Sequence, residues 1–183
     1  MVPLRTYRIA LLLSLAGLSV TVPSRSPAQS AGEYEVKAAF LYNFAKFVEW
    51  PAGAGNEIVI GVAGNDGFAT VLERITRGKM IGSRSIVIRH LADVSDTTQC
   101  HILFIPEIND RWGLLIRQFG DAGVLTVSDQ DGFAERGGTI QLYTEGKTIR
   151  FMVNIESAER GGLRISSRLL SLAKMVKSQK GRN

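Results

Sequence analysis

EIVIGVAGNDGFATVLERITRG, residues 57–78, reads as a strand, a turn and a helix, and that reading decides the fold. Glu57 to Gly64 is a nearly continuous apolar run, as expected of a strand buried on both faces. Asn65-Asp66-Gly67 is a turn, Asp66 is placed to cap a helix over Phe68 to Arg77, and Gly78 closes that helix. A doubly buried strand leading into a helix is the repeating unit of a parallel sheet. GVAGNDG superficially resembles a phosphate-binding turn, but it lacks the lysine and Ser/Thr of a P-loop and the spacing of a dinucleotide fingerprint. Asp66 would also repel a phosphate at the helix N-terminus. A tight turn with an N-cap is the plainer reading. The alternative is a small-ligand pocket of Gly64, Asn65 and Asp66 at the carboxyl ends of the parallel strands.

The same grammar continues outward. SIVIRHL (Ser85 to Leu91), CHILFIP (Cys100 to Pro106) and GVLTVSD (Gly123 to Asp129) are further apolar strands, with a helix over Glu107 to Phe119. GGTIQLYTEGKTIRFMVNI then alternates around Glu145-Gly146, a hairpin signature that puts Thr139, Gln141 and Tyr143 on one face and Ile140 and Leu142 on the other. LRISSRLLSLAKMV (Leu163 to Val176) has helical spacing. Its apolar side is Leu163, Ile165, Leu169, Leu170, Leu172, Ala173 and Val176, and Arg164, Arg168 and Lys174 lie around the other. No linker, repeat or low-complexity segment interrupts residues 33–176. The expectation is a single α/β domain: a mostly parallel central sheet of about six strands, a C-terminal β-hairpin, and helices on both faces.

Upstream, Glu33 to Trp50 reads as a helix ended by Pro51, because the residue before proline is driven toward extended geometry. At about 100° per residue, Tyr34, Val36, Ala38, Phe40, Leu41, Phe44, Ala45, Phe47 and Val48 share one arc of roughly 200°, wider than a surface helix needs for docking. Only Lys37 interrupts it. Phe40, Phe44 and Phe47 are expected in the core. Tyr42 falls on the polar side and Trp50 at its edge, and both rings combine an apolar body with a polar handle suited to a partner.

Residues 1–28 have the layout of a cleavable signal peptide: Arg5 and Arg8, an uncharged run from Ile9 to Val22, then Ser26-Pro27-Ala28. Cleavage is expected after Ala28, with Ala31 the second choice, leaving 29–183 as the domain. The apolar run is too short for a comfortable permanent span. Removing Arg5, Arg8 and Arg25 from the 22 basic residues leaves 19 against 17 acidic ones, so the net charge falls from +5 to +2. Bulk charge then gives no support to nucleic-acid binding. A lone Cys100 in an exported chain forms no internal disulfide. It reads as a buried thiol, with pairing between chains as the alternative.

Catalytic material is sparse. His90 and His101 are the two histidines, and Cys100-His101 within a strand would point to opposite faces, so the imidazole is no base for its neighbour's thiol. No His, Cys or carboxylate spacing suggests a metal site, and none suggests a cofactor. No catalytic residue is expected. The basic side of the last segment, with Arg164 and Arg168, is either a solvated face or a dock for an acidic protein patch.

Several stretches resemble the YfiR-like family of exported regulators. They are Glu33-Tyr34, Val36-Lys37-Ala38-Ala39-Phe40, Asn43-Phe44, Lys46-Phe47 and Trp50-Pro51, then Ile60-Gly61-Val62, Cys100 to Ile105 and Leu125-Thr126-Val127. Gly132-Phe133-Ala134, Gly137-Gly138 and Leu163 to Leu170 complete the likeness. The resemblance implies a periplasmic, non-catalytic α/β protein that represses a membrane-bound diguanylate cyclase through its periplasmic sensor region, lowering cyclic di-GMP. A sensor kinase is another partner of that kind. It further implies an OmpA-like outer-membrane lipoprotein as a sequestering partner, and homodimers. Extra disulfide-forming cysteines of better-studied members are absent here. On this reading Tyr42, Trp50, Arg164 and Arg168 are the partner-binding residues. A periplasmic small-molecule receptor is the second hypothesis and an exported hydrolase the third.

Overall fold

The structure is a computed structural model that describes residues 27–178 except 52–54, 65–66, 93–99, 107–115, 117 and 120. Helix α1 (Pro27–Phe47) leads into a two-residue strand β1 (Val48–Glu49), followed by β2 (Glu57–Ala63), α2 (Phe68–Thr76), β3 (Met80–Ile81) and β4 (Arg84–Leu91). Then come β5 (Ile102–Phe104), β6 (Leu125–Ser128), the hairpin β7 (Ile140–Glu145) and β8 (Thr148–Asn154), α3 (Ile155–Arg160), β9 (Arg164–Ile165), α4 (Ser167–Leu170) and β10 (Lys174–Val176).

Eight strands form the main sheet in the order β10-β8-β7-β6-β5-β2-β4-β3. Six of them are the strands read from sequence; the short β3 and β10 extend the two edges. Neighbours from β4 through β7 run parallel, β7 and β8 pair antiparallel as a hairpin, and β10 runs parallel to β8. The chain goes from β2 outward to β4 and then returns to β5 on the other side. β2 therefore sits where the strand order reverses.

The apolar runs are buried on both faces because both faces are covered. Ile58, Ile60, Val62, Ile102, Phe104, Leu125 and Val127 join Ala38, Leu41 and Phe44 of α1 and Phe68 and Leu72 of α2 in one core. Val59, Ala63, Leu91, Cys100, Leu103 and Ile105 pack on the opposite face with Ile116 and Phe133. Residues 116, 118–119 and 121 are helical; the rest of the helix expected over Glu107 to Phe119 lies outside the described residues.

Three local expectations change. First, α2 is preceded by Gly67 at φ 81° with no side-chain cap, so Asp66 is not the N-cap residue; Asn65 and Asp66 themselves lie outside the described residues. Second, α1 ends at Phe47 rather than Trp50. Val48 and Glu49 pair with Ile165 and Arg164, and the Ser166 N–H bonds the Phe47 carbonyl at 2.9 Å, so this ladder takes over before Pro51 is reached. Third, Leu163 to Val176 is not one helix. Ser166 caps the four-residue α4 through its side chain, which accepts from the Leu169 N–H, while the segments on either side are drawn into β9 and β10. Strand pairing outweighs helical spacing there, as tertiary context commonly does.

Gly138 shows how tightly the second core closes. A Cβ at this position would lie 2.2 Å from Phe133 Cε1, and the Gly138 N–H already bonds the Phe133 carbonyl at 3.0 Å. Phe133 is fully buried and cannot swing away. Gly138→Ala is expected to cost about 2 kcal/mol through overpacking, or roughly 6 °C in Tm for a domain of this size, as read by scanning calorimetry.

Candidate functional site

Lys37, the one interruption in the apolar arc of α1, is buried with only 6% of its surface exposed. Its aliphatic stem suits the core, and its ammonium needs anionic partners there. It finds two. Glu33, one turn back on α1, lies 2.6 Å away, and Asp129, just beyond β6, also pairs with it. Burial works against the charge on Lys37, but hydrogen bonds to Asp129 and Glu33, and their negative charges, outweigh it and hold its pKa above the ordinary 10.5. The loop bearing Asp129 is itself anchored. The Ser128 hydroxyl donates to the Ile105 carbonyl at 2.6 Å, and the Gln130 amide donates to the Pro106 carbonyl at 2.7 Å.

This triad forms part of the wall of a cavity of about 590 Å³ between the first half of α1, the segment after β6, the β7–β8 hairpin and β10. Glu33, Lys37, Asp129, Asp131, Tyr143 and Lys174 are among its lining residues. Asp129 Oδ1 is buried and has no hydrogen-bond partner among the described residues. Sequence reading did not find this site. The available signal was a lone lysine on an apolar arc; its distant partner Asp129 had none.

The outer side of α1 carries a different feature. Phe40 lines three adjoining hollows: one with Phe47, Arg168 and Leu172, one with Val36 and Ala39, and one with Val36, Lys147 and Ile149. Leu172 and Val36 are 71% and 44% exposed, so this groove offers apolar surface to solvent. Lys46 and Arg168 stand 5.5 Å and 5.7 Å from the Phe47 ring, and Lys79 stands 4.5 Å from the ring of Tyr42. Lys46, Arg168 and Lys147 make no ion pair among the described residues. Phe44 is fully buried as expected, whereas Phe40 and Phe47 are half-buried and join core to groove.

Of the four residues expected to meet a partner, Tyr42 lies on the second half of α1, Trp50 just beyond β1, Arg164 on β9 and Arg168 on α4. Tyr42 and Arg168 are linked through Lys46 and Phe47. Arg164 is highly exposed and lies 3.7 Å from Glu49 across the ladder. Trp50 is held internally. Its indole N–H donates to the His101 carbonyl at 3.0 Å, and its ring meets the imidazole edge-on at 5.5 Å. The Val59 N–H donates to His101 Nδ1 at 3.1 Å, which puts the neutral ring's proton on Nε2. Cys100 packs in the opposite core, where burial pushes its thiol pKa up against the pull of Arg89. Of the candidate ligand residues, Gly64 ends β2 at φ 84° beside the strand-order reversal, and Asn65 and Asp66 lie outside the described residues. Among the described residues no cluster of three or more His, Cys, Asp or Glu is arranged to hold a metal ion, and no helix is long and apolar enough to cross a membrane.

The family described as YfiR/HmsC-like matches the chain over residues 34–174. No curated protein matches it. Among solved structures, it resembles a conserved domain protein of Vibrio cholerae at 14% identity and a TM-score of 0.47, with 79% of this chain and 60% of that one covered. It also resembles the ABC domain of a Streptococcus pneumonia protein in complex with L-tryptophan, at 11% identity and a TM-score of 0.46, covering 66% and 56% of the two chains. The chain thus spans somewhat over half the length of either.

Removing the ammonium leaves two carboxylates facing each other around a partly buried site. Lys37→Met is expected to cost about 3 kcal/mol, because an uncompensated buried charge is worse than none, and Asp129→Asn in the same background should restore part of it. The sign of the pH dependence follows from the raised pKa of Lys37. Its contribution is complete below 10.5 and is lost as pH rises through the higher value in the folded protein. The Tm gap between wild type and Lys37→Met should therefore hold at neutral pH and narrow in strongly alkaline buffer.

Proposed function

The chain belongs to the YfiR/HmsC-like family, and from that premise we propose that it is a periplasmic regulatory binding protein that represses a membrane-bound diguanylate cyclase through the enzyme's periplasmic sensor region. The family match over residues 34–174 is the single observation that carries this reading. The groove along α1 supplies a physically suitable surface. It joins exposed apolar side chains to a basic rim of Lys46, Arg168 and Lys147, the composition expected of a dock for an apolar segment with acidic flanks. On this reading Tyr42, beside Lys46, and Arg164, exposed on β9, belong to the same surface, while the indole N–H of Trp50 is bound within the chain by the His101 carbonyl.

Repression by binding needs a difference in affinity. The protein must bind the inactive state of the sensor better than the active one, and a tenfold preference moves the equilibrium tenfold, about 1.4 kcal/mol. An OmpA-like outer-membrane lipoprotein that takes up the same surface would relieve repression by competition. The amino-terminal segment would act only as an export signal, with Ala28 and Ala31 inside the first turns of α1.

Deleting the gene is expected to raise cyclic di-GMP and biofilm; unchanged levels would contradict the proposal. Arg168→Glu reverses charge on an exposed side chain, so it should leave Tm nearly unaltered, within about 0.5 kcal/mol of stability. It should weaken capture of the sensor region from solubilised membranes by about tenfold. Capture unaffected by both Arg168→Glu and Phe40→Asp would place the interface elsewhere.

A further inference from the structure

We propose that the open edge of β4 joins two copies of this chain, the strand pairing antiparallel with itself about a two-fold axis at Ile88. This edge lies at the other end of the sheet from the β7–β8 hairpin. The proposal is independent of repression and of the groove along α1.

With 8 residues, β4 is the longest strand of the sheet. β2 pairs with it from Ser85 to Leu91, whereas on its other side β3 reaches only Arg84 and Ser85. Among the described residues no strand meets that side from Ile86 onward. The Leu91 carbonyl turns toward β2, where it accepts from the Gly64 N–H at 3.2 Å. Backbone direction alternates along a strand, so Ile86, Ile88 and His90 turn their N–H and C=O groups to the open side. The pairing of Arg84 with Ile81 across the turn agrees with that alternation. Ile86, Val87 and Ile88 are half-buried and β-branched, no proline interrupts them, and the unbroken register with β2 leaves no bulge to bend the edge away. Such a row of open backbone groups between apolar side chains is a template for another strand. The opposite edge, β10, has only 3 residues and exposes Lys174.

Register identifies the occupant as a second copy. Antiparallel strands exchange hydrogen bonds between opposed residues that both face the seam. Setting Ile88 against Ile88 of the second copy sets Ile86 against His90 in both directions, for up to about six hydrogen bonds. Arg89 then falls opposite Val87, and no like charges are directly opposed. The neighbouring registers are worse. Centred on Val87, the seam would need Arg84 opposite His90, and β3 already holds Arg84. Centred on Arg89, each guanidinium would face its own counterpart, and directly opposed like charges are destabilising. The antiparallel arrangement also closes on itself, whereas a parallel one would leave an open edge on one copy.

The test is sedimentation velocity and amide hydrogen exchange on the purified protein across a concentration series. A seam this small belongs at the weak end of protein interfaces, so the dimer should dissociate at about 10–100 μM. Across that range exchange at Ile86, Ile88 and His90 should slow by about fivefold. Val87 and Arg89 face β2 and should exchange at an unchanged rate. Ile88→Cys should give a disulfide-linked dimer on oxidation, because the Cα atoms of a hydrogen-bonded antiparallel pair lie about 5.5 Å apart, within disulfide reach. Met175→Cys, on the opposite edge, should stay monomeric, and so should the wild type, whose Cys100 is buried. The exchange measurement uses the unaltered chain and decides the matter even if Ile88→Cys folds poorly. The proposal is overturned by a protein that stays monomeric at about 500 μM or by a dimer whose three amides exchange at the monomer rate. Met175→Cys linking as readily as Ile88→Cys would overturn it too. Protection that appears only when solubilised membranes are added, with the chain alone monomeric, would assign the edge to a partner's strand and likewise overturn self-pairing.

Discussion

A single ammonium group joins parts of the chain 92 residues apart, and much of the architecture is organised around that contact. Lys37 is carried by the helix that covers one face of the sheet; Asp129 is carried by the loop leaving its central strand β6. Apolar packing already seats α1 over Ile60, Leu125 and Val127, with Tyr34 edge-on to Phe68 and Phe44 edge-on to Phe151. An ion pair in the same interface is directional. It adds a charged contact to the face of α1 that the apolar residues already turn inward. Its gift to net stability is modest, since desolvating both partners offsets most of the attraction. It acts together with the rings of α1, which meet Phe68 and Phe151, and with Val36 exposed and Phe40 half-buried on the other side of the helix.

How far the sequence discloses this structure depends on the range of the interaction involved. Strands buried on both faces declare themselves locally, so Glu57 to Ala63, Ile102 to Phe104 and Leu125 to Ser128 are legible from their apolar runs. The hairpin is legible from its alternation and from Gly146, whose φ of 64° suits the turn. The last segment is not. Leu163 to Val176 has helical spacing, yet its two ends find strand partners in β1, 115 and 117 residues away by register, and in β8, 22 residues away. No local pattern records those partners. Trp50 has the same character: its ring type suggested contact with another molecule, but the hydrogen bond to His101 uses its polar atom within the chain.

The candidate sites divide in the same way. The amphipathic groove draws on Tyr42, Arg168 and neighbouring rings, whose chemistry is visible one residue at a time. Gly64 was a candidate because a turn at the end of a parallel strand is a familiar place for ligands, and the strand-order reversal at β2 agrees with that geometry. The Lys37 cavity needs four elements brought together, three of them contributing charges that look ordinary in isolation. A lysine among phenylalanines was the only sign.

The ladder between β1 and β9 also has a bearing on time. Val48 and Glu49 leave the first helix and wait for Ile165 and Arg164, and the Phe47 carbonyl waits for the N–H of Ser166. A chain emerging from its amino end can form α1, and the β2–α2–β4 unit can assemble locally, but the end of α1 has no strand to pair with until nearly the whole polypeptide is present. Contacts of such long sequence separation slow folding, because loop closure must precede the contacts that repay it. The seam between the end of α1 and the C-terminal segment is therefore among the last contacts able to form, since it requires residues 164–166.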